Sequence, residues 1–100
     1  MVKKRRVIWS QNSKQELHEI YDHIKKDSLK NADKVRKTIV SATMNLPSHP
    51  KRYAVDKYKI NNDGTFRAFQ VFQYRIVYQV TETDIIILRV RHTSMEPLNY

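Results

Sequence analysis

Apolar residues recur along this chain with two periods, and the switch between them falls near its middle. A short opening run, VKKRRVIW at 2–9, predicts a first strand ending in Val7, Ile8 and Trp9, with the KKRR charge reading as a solvated strand start. Leu17, Ile20, Tyr21 and Ile24 then fall at helical spacing. Ser13, with Glu16 three residues on, forms a capping-box pattern that sets the helix start there. After a break at 26–30, Ala32, Val35, Ile39, Ala42 and Leu46 line one face of a second helix whose other face carries Lys30, Lys34 and Lys37. Pro47 and Pro50 end it, because proline cannot donate the backbone hydrogen bond that a helix interior needs. Matched stripes separated by a few residues predict an antiparallel helical hairpin.

Past residue 50 the period becomes two. KRYAVDKYKI at 51–60 reads as a loop or short strand, and NNDG at 61–64 as a turn in which Gly64 can take positive φ. TFRAFQV, YRIVYQV and IIILRVRH alternate, with tight turns near Phe72 and Gln73 and at TETD, 81–84. Short connections between such runs predict an antiparallel meander. The expected fold class is therefore α+β: an N-terminal strand, an antiparallel helical hairpin and a three-stranded antiparallel meander. The helices pack on one face of a twisted sheet, and a single domain spans 1–100.

Parity then sorts the strand residues. In the last strand Ile86, Leu88, Val90 and His92 share one face, and Ile85, Ile87, Arg89 and Arg91 the other. Tyr74, Ile76, Tyr78 and Val80 oppose Arg75, Val77 and Gln79, while Arg67, Phe69 and Val71 oppose Phe66, Ala68 and Gln70. Helices cover only one face, so Arg67, Arg75, Arg89 and Arg91 are expected to converge on the open one with Phe69 among them. That holds if no bulge shifts the register. Such a row suits phosphate or carboxylate recognition. The competing reading pairs the arginines with Glu82, Asp84 and Glu96 as cross-strand salt bridges. His92 keeps the core parity and reads either as a hydrogen-bonded strand-end histidine or as a general acid–base. Tyr100 falls where tails usually fray, with Pro97 and Leu98 available to pin it.

Charge sharpens this picture. Lys and Arg total 19 against 10 acidic residues, a net +9, which favours nucleic acid, an acidic protein or an anionic surface as partner. The sequence contains no cysteine, which removes disulfides, thiolate metal sites and cysteine nucleophiles, and fits a cytoplasmic protein. The basic start is followed by no apolar signal region, and no run approaches the roughly 20 apolar residues of a membrane span. His18 and His23 read as solvated, and no metal or cofactor is expected.

The segments VIWS, QELHEIYDHI, LPSHP, FRAF, YRIVYQV and IIILRVRH, in this order over essentially the whole chain, resemble the RelE/ParE superfamily of bacterial type II toxins. YRIVY at 74–78 and ILRVRH at 87–92 are the sharpest pieces. The resemblance implies a toxin neutralised by a cognate antitoxin, usually acidic and partly disordered, that folds along the toxin's surface. It also implies one of two mechanisms. RelE-like members are ribosome-dependent endoribonucleases that cut mRNA in the A site; ParE-like members inhibit DNA gyrase by protein contact. The wording of YRIVYQV, ILRVRH and QELHEIYDHI is closer to ParE-like chains, so a gyrase inhibitor is the first expectation. The RelE-like alternative would use Arg67 and Arg75 as phosphate clamps, Arg91 on the open face, and His92 or Tyr100 for proton transfer, with Lys57 and Lys59 standing for the lysine-rich loop. A third reading is a basic binding module without toxicity.

Overall fold

A computed structural model describes residues 4–95, 99 and 100. Residues 1–3 of the opening strand, and Glu96, Pro97 and Leu98, lie outside the described residues. Strand β1 (Arg6–Trp9) leads into helices α1 (Gln11–Lys25) and α2 (Leu29–Met44), and a 3-10 turn follows at Leu46–Ser48. Strands β2 (Phe66–Val71), β3 (Tyr74–Val80) and β4 (Asp84–His92) complete the order. The last three pair antiparallel in sequence order, as their alternation predicts, and β1 adds in parallel to the far side of β4, giving β1-β4-β3-β2. Among the described residues no helix is long and apolar enough to cross a membrane.

The helical stripes meet one face of this sheet. Ile39 and Leu46 are buried with Phe69, Ile76, Tyr78, Ile85, Ile87 and Val90, and Leu17, Ile20, Val35 and Ala42 pack against that cluster. Tyr21 instead ties the hairpin together at its surface: its hydroxyl donates to Asp33 at 2.9 Å, and the Arg36 guanidinium lies 4.3 Å from its ring centroid.

Helix α1 starts three residues earlier than the capping-box pattern places it. Ser10 is the N-cap, its side chain accepting from the Ser13 amide at 3.1 Å, so Ser13 and Glu16 sit inside the first turns. Both are committed to β4. β1 ends with Trp9 opposite Ile87, and beyond that point, among the described residues, β4 has no neighbouring strand on its outer side. The α1 start replaces it. The Ser10 amide and the Ser13 hydroxyl donate to the Ile87 carbonyl at 2.9 and 2.8 Å. The Ser10 hydroxyl donates to the Leu88 carbonyl at 3.1 Å, and Glu16 Oε1 accepts from the Val90 amide at 3.0 Å. Buried backbone groups left without partners are costly, and these side chains remove that cost.

The same stretch holds a β-bulge. Val77 pairs with Arg89 but Tyr78 with Ile87, so Leu88 is the extra residue. The expected parity of β4 therefore fails upstream of the bulge. Ile85 and Ile87 are core residues together with Val90, and Ile86 and Leu88 are only partly buried. Downstream, Arg89 and Arg91 stay on the face away from the helices, as expected.

Residues 51–65 form no strand, although they run along β2: Val55 bridges Arg67, the Ala68 amide donates to Ala54 at 3.2 Å, and the Asp56 amide donates to Phe66 at 2.8 Å. The Asn62 side chain frames the turn, accepting from Gly64 and donating to the Asp56 and Phe66 carbonyls, and Gly64 takes its expected positive φ of 94°.

Candidate functional site

The sheet face away from the helices carries the arginines, but not all four. Arg75 stands directly opposite Arg91, and Arg89 follows one step along β4 opposite Val77. Like charges facing each other across strands repel unless an anion lies between them. Arg67 does not join them. It pairs with Tyr78, a core residue, and its Nη1 donates to the Tyr53 carbonyl at 2.7 Å. Adjacent strands share a face residue for residue, so Arg67 points with Phe69 and Val71 toward the helices. Phe69 is likewise absent from the arginine face; it is buried and stacked on Tyr53 at 4.3 Å.

The arginine face is not open either, because the 51–65 loop and the last residue cover it. Asp56, with a side chain at 0% exposure, accepts from Arg75 Nη2 at 2.6 Å and from the Tyr58 amide at 3.1 Å. Its other oxygen accepts from the Tyr100 hydroxyl at 2.5 Å. The Tyr58 ring lies over the Arg75 guanidinium at 4.8 Å. Tyr100 is held at both backbone groups, its amide donating to Tyr58 at 3.1 Å and its carbonyl accepting from Ile60 at 2.5 Å. Tyr100 is thus packed against the site rather than frayed. Lys59 lies 5.3 Å from the Tyr100 ring and 4.8 Å from that of Phe66, while Lys57 lies over Tyr58.

These contacts fix protonation. Burial pushes the Asp56 carboxyl up, but hydrogen bonds from Tyr100, Arg75 and the Tyr58 amide, with the Arg75 charge, outweigh it and hold the carboxyl below the ordinary range. Burial, reinforced by the Asp56 carboxylate, raises the Tyr100 hydroxyl far above its ordinary value, so it remains a proton donor.

Neither Asp84 nor Glu82 meets the arginine row. Asp84 pairs with Arg6 at 3.1 Å, Glu82 is exposed in the β3–β4 turn, and Glu96 is outside the described residues. The partners are Asp56 for Arg75 and Glu16, from α1, for Arg89 at 3.8 Å. Arg91 donates from Nη2 to the Met95 carbonyl at 3.2 Å. Asp56 carried a faint signal: it is the lone acid between Pro47 and Asn62 in a stretch of lysine, arginine and tyrosine.

His92 sits on the helix side, as its parity predicts. It pairs with Tyr74, meets that ring edge-on at 5.5 Å, and accepts the Ser94 amide at Nδ1 at 3.0 Å. A neutral ring here carries its proton on Nε2. Beside it a groove of about 640 Å³ runs between α1 and the end of β4, lined by Glu19, Ile20, His23, Tyr74, His92 and Met95 among others.

The fold is thus a four-stranded mixed sheet with a helical hairpin on one face and three arginines on the other. Solved structures share it. Over 89% of this chain and 96% of the other, the toxin–antitoxin structure described as the chromosomal ParDE system from P. aeruginosa superposes with a TM-score of 0.71 at 20% identity. The RelBE2 toxin–antitoxin complex from Mycobacterium tuberculosis gives 0.61 at 18% identity, over 90% of this chain and 99% of that one. The YoeB dimer from Staphylococcus aureus gives 0.57 at 15%, over 90% and 98%. No curated protein sequence matches significantly. Residues 7–97 match the family model described as the ParE toxin of the type II toxin–antitoxin system parDE, and the chain belongs to that family.

Proposed function

We propose that this protein arrests growth by contact with DNA gyrase, without cutting RNA, and is neutralised by an acidic, partly disordered antitoxin. One observation carries the reading: the groups an RNA-cutting site would need are divided between the two faces of the sheet. Arg67 and His92 lie on the helix side, whereas Arg75 and Tyr100 lie on the other and are both engaged by Asp56. In-line phosphoryl chemistry needs base, acid and cationic clamp around one phosphate. The family's toxin character and the net charge of +9 support an acidic protein partner. Arg89, with 30% of its side chain exposed, and Arg91 are assigned to carboxylates of such a partner, whereas Arg75 is engaged by Asp56 and Arg67 lies on the helix side. The reading needs no cofactor, and its target places the protein in the cytoplasm.

The test is controlled expression in a host lacking the antitoxin, with primer extension on mRNA, and a supercoiling assay on the purified chain. The expected result is growth arrest with DNA-damage signalling, inhibited supercoiling and intact mRNA, and His92→Ala should keep full potency. Site-specific mRNA cuts that vanish in His92→Ala or Arg75→Ala would overturn the proposal in favour of an endoribonuclease.

A further inference from the structure

The β2–β3 hairpin closes through Phe72 and Gln73, and Phe72 adopts φ of 54°. Tight hairpin turns of this kind ordinarily place asparagine or glycine at positive φ, since a side chain there crowds its own backbone. For a bulky aromatic the conformation is strained. Burial does not offset the strain, because Phe72 is 46% exposed, and every other described aromatic residue is partly or fully buried. The turn is nevertheless held firmly. Gln70 Nε2 donates to the Phe72 carbonyl at 2.8 Å, and the Thr93 amide donates to the Gln73 carbonyl at 2.8 Å. The Lys34 ammonium lies 6.0 Å from the ring centroid. Lys34 belongs to the exposed α2 row with Lys30 and Lys37.

We infer that Phe72 is a target-contact anchor, presented with the α2 lysines to an acidic protein surface that offers an apolar pocket for the ring. A rigidly held, half-exposed aromatic beside a row of lysines has the character of an interface hot spot. The lysines supply the complementary field that steers and orients an acidic partner. Single-stranded nucleic acid is disfavoured as occupant, because its recognition uses successive aromatics on which bases stack, and Phe72 stands alone. This inference rests on the reading of the chain as a toxin acting by protein contact.

The experiment compares wild type, Phe72→Asn, Phe72→Trp and Lys34→Glu for growth arrest, inhibition of gyrase supercoiling and thermal unfolding. Asparagine tolerates positive φ, so Phe72→Asn should unfold at the same or a higher temperature while losing at least tenfold in potency. Phe72→Trp should keep potency, and Lys34→Glu should weaken it with a salt dependence that wild type shows and the variant lacks. Full potency in Phe72→Asn, or a loss that merely follows a lower unfolding temperature, overturns the inference. Wild type that arrests growth without inhibiting supercoiling sinks gyrase as the target, and growth arrest then still scores Phe72. Wild type that does neither overturns both, as does binding of a single-stranded oligonucleotide abolished in Phe72→Asn.

Discussion

Asp56→Ala is expected to lower the unfolding free energy by about 3 kcal/mol, read by urea denaturation, because it leaves Arg75 beneath the loop without its carboxylate. Breaking a buried pair from one side costs more than the pair contributes, since the remaining charge stays desolvated. Arg75 keeps 19% exposure, which places the figure at the lower end of such effects. The loss should extend beyond one bond, as Tyr58 and Tyr100 both anchor on the same carboxylate. The pH dependence has a definite sign. The folded Asp56 carboxyl lies below its ordinary value of 3.8, so its contribution is complete above that value and disappears as pH falls through the lower folded value. Wild type should therefore lose stability below about pH 4 more steeply than Asp56→Asn. Equal acid slopes for the two proteins would show that the carboxylate contributes nothing.

Ile87→Ala should destabilise by a similar or larger amount, about 3 kcal/mol within the usual span for a buried isoleucine. Ile87 is fully buried, opposite Tyr78, in the cluster shared by sheet and helices. Leu88→Ala should cost clearly less, because the bulge turns Leu88 out of that cluster. The contrast between two adjacent apolar residues reads the bulge directly, and strict alternation predicts the reverse order. Comparable losses at both positions would mean the strand packs on both faces at that point.

That comparison marks where sequence periodicity stops being informative. The helical stripe from Ala32 to Leu46 and the alternation of Tyr74–Val80 are legible because each residue's burial follows from a fixed period. A bulge adds one residue to a single strand and changes no side-chain type, so IIILRVRH carries no mark of it. The missed placement of Arg67 has a different origin. Its strand alternates regularly, but Phe69 and Val71 share its parity, and those two apolar neighbours, rather than its charge, decide which way it faces. The site's buried acid lay in a loop, where no period exists to sort side chains and partners are set by tertiary packing alone. Ser13 and Glu16 imitate a capping box while their side chains reach β4, a contact that local spacing cannot reveal.

The parallel pairing of β1 with β4 governs the order in which the molecule can assemble. Arg6 meets Asp84, and Ser10 reaches Leu88 across 78 positions of sequence, so β1 has no strand partner until nearly all of the domain has been synthesised. The α1–α2 hairpin and the β2–β3–β4 meander close over short loops and can form early, whereas joining the two ends closes the longest loop and is entropically the slowest step. Until then the outer edge of β4, with its bulge carbonyls and the Val90 amide, has neither β1 nor the α1 start to cover it. A nascent chain thus carries β1 unpaired through most of its synthesis, and the basic residues Arg5 and Arg6 reach the edge of β4 only when the first strand docks.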